Sequence, residues 1–263
     1  MGAINVTPDS FSDGGTSLDP IRARDIAQAM AASGADLIDI GAESTRPGAT
    51  PVGSAEELSR LLPVLQAVAP HVTVPISVDT YKCPVAERAL DAGASIVNDI
   101  SAFAYDPQLG DLVARRGVPA ILMHTRGRPD DMYAHAEYAD VVAEVMADLQ
   151  RAIDRAVQLG VTRDRLIVDP GLGFAKRAEQ SMATLAGLDR FAALGLPILA
   201  GPSRKSFMTA ATGPLPPGER DWPTAAAVTA AVLAGAHIVR VHNVEKMVHV
   251  VRVADALRLA AGG

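Results

Sequence analysis

Polar side chains stand at the ends of several short apolar runs, and three of them suit the binding of a nitrogen heterocycle. Asp79, Asn98 and Asp169 each end or nearly end a run rich in Ile, Val and Leu. Carboxylate oxygens accept hydrogen bonds from ring and exocyclic N–H groups, and an amide both donates and accepts. If the three side chains converge, they form a donor–acceptor set for a flat, nitrogen-rich ligand.

A second group of side chains is cationic. Residues 203–206 read Ser-Arg-Lys-Ser, and Arg240 and His242 follow a later apolar run. Arginine binds phosphate with two hydrogen bonds, and lysine binds it as a point charge. In parallel barrels, phosphate frequently lies between the loops after strands seven and eight. These residues predict an anion site, although Lys205 also suits a Schiff-base role.

Two further residues add to the candidate site. Asn5 ends the first apolar run and offers an amide oxygen, and Mg²⁺ typically takes one or two protein oxygens together with substrate phosphates. Phe174 ends the glycine-rich sequence at residues 171–174, where its ring can stack on a planar ligand or pack in the core. Neither His-Glu-x-x-His nor paired cysteines occur in the sequence, so a dedicated zinc site is not expected.

These residues need a scaffold that gathers the ends of several strands. Eight short apolar runs alternate with helical patterns along 263 residues. Unbroken Ile/Val/Leu runs are typical of parallel strands buried on both faces, and strand–helix alternation implies right-handed crossovers. The length is close to the roughly 250 residues of one (β/α)8 barrel. We predict an α/β fold, a single (β/α)8 TIM barrel domain over residues 1–263.

Two predicted loops are unusually long and polar. They follow strands one and two, at residues 7–15 and 43–51. Loops of this length in a compact domain often form lids or binding segments. We expect both at the catalytic mouth. After the second loop, Ser54 and Glu57 have the spacing of a capping box, which predicts the start of a helix.

Composition narrows the class of protein. The net charge of −6 argues against a nucleic-acid or membrane surface. Cys83 is the only cysteine, so the sequence predicts no intramolecular disulfide and fits a reducing compartment. We expect a cytoplasmic enzyme that acts on small molecules.

Eight motifs, in order along the whole chain, resemble those of one family. They are NVTPDSFSDGG at 5–15, ESTRPGA at 43–49, SVDT at 77–80, NDIS at 98–101, MH at 123–124, DPGLGF at 169–174, SRKS at 203–206 and RVH at 240–242. With these motifs the chain resembles the dihydropteroate synthases, within the wider group of pterin-binding barrels. The first two motifs are highly specific.

The resemblance implies a transferase of folate biosynthesis and a sulfonamide target. Such an enzyme joins 6-hydroxymethyl-7,8-dihydropterin diphosphate to 4-aminobenzoate and releases pyrophosphate and 7,8-dihydropteroate. The resemblance also implies Mg²⁺ as cofactor and a homodimer formed through the C-terminal helices, although the helix patterns equally suit a monomer.

The resemblance also implies a role for each candidate residue. Asp79 and Lys205 are the expected catalytic residues, and Asn5 is the expected metal ligand. Residues expected to bind the pterin and its diphosphate are Asp79, Asn98, Asp169, Phe174, Lys205, Arg240 and His242. Residues expected to cover the aminobenzoate are Phe11, Thr45, Arg46, Pro47 and Ser206.

Some positions depart from the family pattern and keep alternatives open. Ala42 stands where glycine is usual, residues 180–181 read Gln-Ser in place of a common His-Asn pair, and Asn243 replaces a frequent aspartate. One alternative is a homologue that binds pterin without turnover. The others are a methyltetrahydrofolate-dependent methyltransferase, which needs no magnesium-diphosphate site, and an aldolase that uses Lys205.

Overall fold

The computed structural model describes residues 1–7 and 19–262, and these form a closed parallel barrel. Strands β1 to β6 pair in chain order, and β7 pairs with β8. Single bridges, Val168 with Ile198 and Gly2 with Val241, join the two sheets into a ring. The strands are β1 Gly2–Asn5, β2 Ile38–Gly41, β3 Ile76–Asp79, β4 Ile96–Asp99, β5 Ala120–Met123, β6 Leu166–Asp169, β7 Leu199–Ala200 and β8 Ile238–Val239.

Helices surround this ring. They are α1 Pro20–Ala32, α2 Ser54–Val68, α3 Cys83–Asp91, α4 Pro107–Arg116, α5 Val141–Gln158, α6 Ala178–Ala186, α7 Thr209–Thr212, α8 Asp221–Leu233 and α9 Val244–Ala260. None of the helices in the described part of the chain is long and apolar enough to cross a membrane.

Local sequence signals explain where α4 begins and ends. Asp106 precedes the helix and accepts a hydrogen bond from the backbone N–H of Gln108 at 3.1 Å, and Pro107 occupies the first helical position. Gly117 ends the helix with φ of 60°, a left-handed conformation that glycine adopts without steric cost. The same logic fails at α2. Gly53 precedes that helix without a side-chain cap, so the predicted capping box of Ser54 and Glu57 is wrong.

The barrel interior is divided into an apolar and a polar layer. Met1, Ile96, Ile121 and Leu199 pack together inside the ring. Toward the carboxyl ends of the strands, inward positions become polar, and the register places Asp79 beside Asn98. Because neighbouring residues on a strand point to opposite faces, Val78 and Val97 pack outward into the large core beneath the helices. The polar layer therefore lies on a rigid, apolar base.

The segment from residue 42 to residue 53 joins β2 to α2 without regular structure. It is the long loop predicted after the second strand. Most of the long loop predicted after β1, including Phe11, lies outside the described residues.

Candidate active site

The carboxyl ends of the strands bring together three predicted site residues, Asp79, Asn98 and Arg240, around Asp39. Arg240 Nε donates to Asp39 Oδ2 at 2.6 Å, and Arg240 Nη2 donates to Asp79 Oδ2 at 3.1 Å. Asn98 Nδ2 donates to Asp39 Oδ1 at 3.3 Å. Asp39 is fully buried and holds the arginine and the amide in place. We call Asp39, Asp79, Asn98, Asp169, Lys205 and Arg240 the floor of the site.

Burial and like charge change the acid–base properties of the floor. Burial, reinforced by the neighbouring Asp39 charge, raises the pKa of Asp79 to about 7, and Arg240 opposes this rise. Burial also raises the pKa of Asp169, while Lys205 and a hydrogen bond of 2.7 Å from the Gly171 N–H oppose the rise. Such shifted carboxyl groups in a polar mouth are typical of active sites.

Lys205 is seated against the loop after β6. Its Nζ donates to Leu172 O at 2.5 Å and lies 4.5 Å from the centroid of the Phe174 ring. Burial lowers the pKa of Lys205 to about 8, and the Asp169 charge opposes this effect. Phe174 therefore lies beside Lys205 and also packs against the apolar cluster of Tyr81, Ile100 and Met123, and its stacking on a ligand stays a prediction.

Gly171 allows this loop to approach the barrel closely. Its φ is 69°, and an added Cβ would lie 2.0 Å from the carbonyl oxygen of His124. A contact this short is impossible without moving the backbone. The glycine is thus required by a left-handed turn packed directly on the segment after β5.

The anion side of the mouth combines His242, Ser203 and Asn5. His242 Nδ1 lies 2.9 Å from Ser203 Oγ, and His242 Nε2 lies 3.5 Å from Asn5 Nδ2. Burial, with the positive charges of Arg240 and Arg204, lowers the pKa of His242 to about 3. The imidazole is therefore neutral at physiological pH. The predicted metal ligand and the predicted diphosphate residue are neighbours.

Arg204, in contrast, is directed out of the site. Its backbone is left-handed, with φ of 58°, and its Nε donates to Asp221 Oδ1 at 3.0 Å. Asn243 Nδ2 donates to the other oxygen of Asp221 at 2.8 Å. The Ser-Arg-Lys-Ser sequence thus contributes its lysine to the floor, while its arginine pairs with Asp221 of α8, which also accepts from Asn243 before α9.

The loop after β2 lies beside the anion side, and we call residues 43–51 the cover. Arg46 and Pro47 are exposed and Thr45 is half-buried. The Arg46 charge contributes to the lowered pKa of His242, which places it near that imidazole. Gly48 N–H donates to Pro129 O at 2.8 Å, so the cover also touches the loop after β5.

A half-buried lysine holds the root of the cover. Lys82 Nζ donates to Glu43 and also to Glu57 Oε2, the latter at 2.5 Å. Glu43 Oε1 accepts from Tyr81 OH at 2.7 Å. Glu57 is fully buried, which explains why it pairs with Lys82 in the core instead of capping its helix.

Ser206 borders a separate part of the mouth. It is exposed and begins the short 3-10 turn Ser206–Met208. An open cleft of about 490 Å³ is lined by Ser206, Gly173 and Phe207, among other residues. Gly173 places this cleft next to the floor, since a Cβ added there would lie 3.3 Å from the Lys205 side chain.

Sequence analysis gave no role to Lys176, which is fully buried behind the floor. Its Nζ lies 2.8 Å from His124 Nδ1. The only signal in the sequence was its place after the glycine-rich motif, two residues beyond Phe174.

Comparison with known proteins agrees with this architecture. Residues 1–242 match the family model described as pterin binding enzyme. A dihydropteroate synthase of Synechocystis is 45% identical over 98% of this chain and 89% of its own length.

Sequence similarity and structural similarity together decide the family of this chain. The chain belongs to the dihydropteroate synthases. The Yersinia pestis member of this family, solved in a complex with a sulfonamide drug, superposes with a TM-score of 0.93 at 40% identity, covering 98% of this chain and 93% of that one. The Xanthomonas albilineans member, solved with 4-aminobenzoic acid, gives 0.91 at 43% identity, covering 98% and 92%.

Membership in the family confirms several predictions. The fold is a (β/α)8 barrel, and the protein is a transferase with the predicted dihydropteroate synthase activity in folate biosynthesis. Membership in the family favours this activity over the methyltransferase and aldolase alternatives. The barrel predicted from eight apolar runs is the barrel observed.

The departures from the family pattern are accommodated locally. Ala42 is fully buried, and its backbone is outside the left-handed region, so no glycine is required there. Gln180 Oε1 accepts from Arg177 N–H at 2.7 Å at the start of α6. Ser181 Oγ accepts from Gly173 N–H at 3.1 Å, which steadies the loop beside Lys205.

Proposed function

We propose that the floor binds the pterin ring of the diphosphate substrate and that the cover closes over 4-aminobenzoate. The observation that best supports this proposal is the double ion pair of Arg240 with Asp39 and Asp79. These ion pairs place Asp79, whose pKa is raised by burial, at the boundary between the heterocycle-binding floor and the anion side. This boundary is where the bond to the diphosphate must break.

Three floor residues would recognise the pterin. Asp169 offers carboxylate oxygens to ring and amino N–H groups, and Asn98 offers both a donor and an acceptor. Lys205 donates to ring oxygen or nitrogen from the opposite side. Phe174, already in contact with Lys205, would stack on the ring plane.

Asp79 would act on the reacting atoms. When the bond between the pterin methylene carbon and the diphosphate oxygen breaks, its electron pair leaves with pyrophosphate and positive charge develops on the pterin. An ionised Asp79 stabilises that charge at short range. The nitrogen of the aromatic amine then forms the new bond to the methylene carbon and releases one proton to solvent.

The anion side would hold the diphosphate. Arg240 retains N–H donors beyond those used by the two aspartates, and neutral His242 can donate one hydrogen bond. Asn5 fits Mg²⁺, since its amide lies beside His242 and the ion takes most of its ligands from phosphate and water. Among the described residues no cluster of three acidic, His or Cys side chains forms a metal cage, which agrees with an ion carried mainly by the substrate. When bound, Mg²⁺ neutralises charge on the leaving diphosphate.

The cover would bind the second substrate and exclude water. Thr45, Arg46 and Pro47 lie on an irregular segment held at its root by Lys82, and Ser206 lines the adjacent cleft. The Arg46 guanidinium suits the aminobenzoate carboxylate. Phe11, on the loop outside the described residues, is proposed to complete this cover.

We also propose a homodimer in the cytoplasm, with residues 1–263 as one domain. Val253, Leu257 and Leu259 on α9 and Leu233 on α8 are exposed apolar side chains near the C-terminus. A second copy packed on these side chains would remove apolar surface from water, and their exposure supports the dimer for this reason. The single cysteine supports a reducing compartment.

The decisive experiment is a pyrophosphate-release assay. Purified protein with Mg²⁺, the pterin diphosphate and 4-aminobenzoate should release pyrophosphate and form dihydropteroate, and a sulfonamide should compete with the aminobenzoate. Chelation of Mg²⁺ with EDTA should abolish release, and added Mg²⁺ should restore it. Pterin binding without release would instead support the non-catalytic alternative.

A further inference from the structure

A buried lysine outside the proposed substrate-binding set is hydrogen-bonded to three acceptors behind the floor. Lys176 has 1% of its surface exposed. Its Nζ lies 2.8 Å from His124 Nδ1, 3.1 Å from Gly171 O and 3.2 Å from Phe174 O. An ammonium group has three N–H donors, so this environment offers one acceptor for each.

The histidine in this set is itself held by a carboxylate. His124 Nε2 lies 3.1 Å from Asp148 Oδ2 on α5. The same oxygen accepts from Arg126 Nη2 at 2.9 Å. Burial, followed by the Lys176 charge, lowers the pKa of His124 to about 4, so its ring is neutral. A neutral ring protonated at Nε2 donates to Asp148 and accepts from Lys176, which satisfies every polar atom in the chain.

The two carbonyl acceptors lie at the ends of the loop that supports Lys205. Gly171 and Phe174 flank Leu172, whose carbonyl oxygen accepts from Lys205 Nζ. The Phe174 ring contacts Lys205 as well. By holding the carbonyl groups of residues 171 and 174, Lys176 therefore also holds in place the Leu172 carbonyl and the Phe174 ring that contact Lys205.

Burying a lysine is costly unless its hydrogen bonds are made, and an apolar residue would fill the same space at lower cost. A lysine that orders a substrate-binding loop has a functional reason to be buried despite the free-energy cost of its desolvation. The half-buried Lys82 has different partners, because it joins two carboxylates at the root of the cover.

We propose that Lys176, held by His124 and Asp148, is a positioning residue that fixes the loop at residues 171–174 and thereby places Lys205 and Phe174 against the pterin ring. This inference rests on the proposed function of the floor. Lys176 also lines the cleft next to Ser206, but with 1% of its surface exposed we expect it to act through the loop and not by contact with substrate.

The test compares two lysine variants in the full chain. Lys176→Met should weaken the binding of the pterin diphosphate with Mg²⁺ about tenfold or more by titration calorimetry, and should leave the KM for 4-aminobenzoate within about twofold. Lys82→Met removes a half-buried lysine from the root of the cover and should give the opposite pattern. If Lys176→Met binds the pterin diphosphate as the wild type does and only melts at a lower temperature, the lysine is merely structural and the proposal is wrong.

A milder variant covers the case in which Lys176→Met does not fold. Asp148 is partly exposed, so Asp148→Asn keeps the packing and weakens the acceptor that His124 shares with Arg126. It should lower the affinity for the pterin diphosphate about threefold and leave the KM for 4-aminobenzoate within about twofold of the wild-type value. Unchanged affinity would overturn the proposal.

Nitrogen NMR of His124 gives a readout that is independent of turnover. In the wild type its imidazole should stay neutral and protonated at Nε2 from pH 5.5 to 8, and in Lys176→Met it should titrate closer to the ordinary pKa of about 6.5. Ordinary titration in the wild type would show that the chain of hydrogen bonds is not formed. If the wild-type protein binds no pterin and releases no pyrophosphate, the proposed function is wrong. A neutral His124 signal in that protein would show that the hydrogen bonds around Lys176 are nevertheless formed, so the two failures can be told apart.

Discussion

The floor and the cover of this site are built in different ways. In the floor, side chains from β2, β3, β4 and the segment after β8 are buried and hydrogen-bonded to one another before any substrate is present. In the cover, Arg46 and Pro47 are exposed at the tip of an irregular loop, and the side-chain contacts lie at its root, with one backbone hydrogen bond from Gly48 to Pro129 near the tip. The floor is therefore preorganised, whereas the cover is free to adjust to the second substrate.

The lysines behind these two regions show the same difference. Lys82 joins Glu43 and Glu57 through opposite charge, which anchors the cover at one point. Lys176 joins a neutral imidazole and two backbone carbonyls, which fixes the path of a whole loop. A rigid heterocycle requires fixed donors and acceptors. A substrate that enters second requires a segment that can open.

The largest expected effect comes from removing the charge at the root of the cover. Lys82→Met leaves Glu43 and Glu57 buried without their cation, and the free energy of unfolding should fall by about 3–5 kcal/mol in urea denaturation. The matched control is Arg116→Met, which breaks an exposed pair with Asp91 and should cause no measurable change. Equal stability of the two variants would mean that Lys82 does not anchor the cover.

A large catalytic effect is expected in the floor. Asp79→Asn should lower kcat about 100- to 1000-fold, because the carboxylate stabilises charge that develops only in the transition state. Pterin affinity should change much less. Asn98→Ser, at the same depth, should weaken affinity more than kcat. If Asp79→Asn lowers both quantities equally, the carboxylate only binds substrate.

The pH dependence of kcat/KM for the pterin diphosphate should report on the floor. Activity should fall about tenfold per unit as the pH drops below about 7, because Asp79 becomes protonated, and should fall again above about 8 as Lys205 loses its proton. Asp79→Asn should remove the acidic limb, and Lys205→Arg should remove the alkaline limb. A flat wild-type profile would contradict both assignments.

The smallest effect is expected at the tip of the cover. Arg46→Ala should raise the KM for 4-aminobenzoate about two- to fivefold, since an exposed ion pair is worth little in water. Binding of the pterin diphosphate should not change. Arg24→Ala, which removes an exposed arginine from α1, serves as the control. Weakened diphosphate binding in Arg46→Ala would place the cover over the other substrate.

The sequence sufficed to predict the barrel and most of the floor, because both follow from strand pattern. Each inward residue at a strand end must face the mouth of a parallel barrel, and so Asp79, Asn98 and Asp169 could be grouped without coordinates. Their assignment to the pterin remains a prediction that the experiments above address.

Features that depend on side-chain direction could not be predicted. Arg204 and Lys205 are adjacent, yet the left-handed backbone at Arg204 sends its side chain to Asp221. Glu57 has the spacing of a helix cap, but pairing with Lys82, 25 residues away, overrides that local signal. Lys176 and Arg177 are adjacent cations before α6, yet only Lys176 is buried, and the local sequence does not distinguish them.

The pairing of Arg240 with Asp39 has a consequence for how the chain folds. The two residues are separated by 201 positions, and the pairing of Arg240 with Asp79 spans 161. Contacts this distant in sequence form late, because the entropy of closing a long loop must be overcome first. During synthesis the first six strands emerge with two open edges, which remain prone to aggregation until β7 and β8 arrive. Arg240 therefore links productive folding to the assembly of the floor, since both are completed by the same late contact.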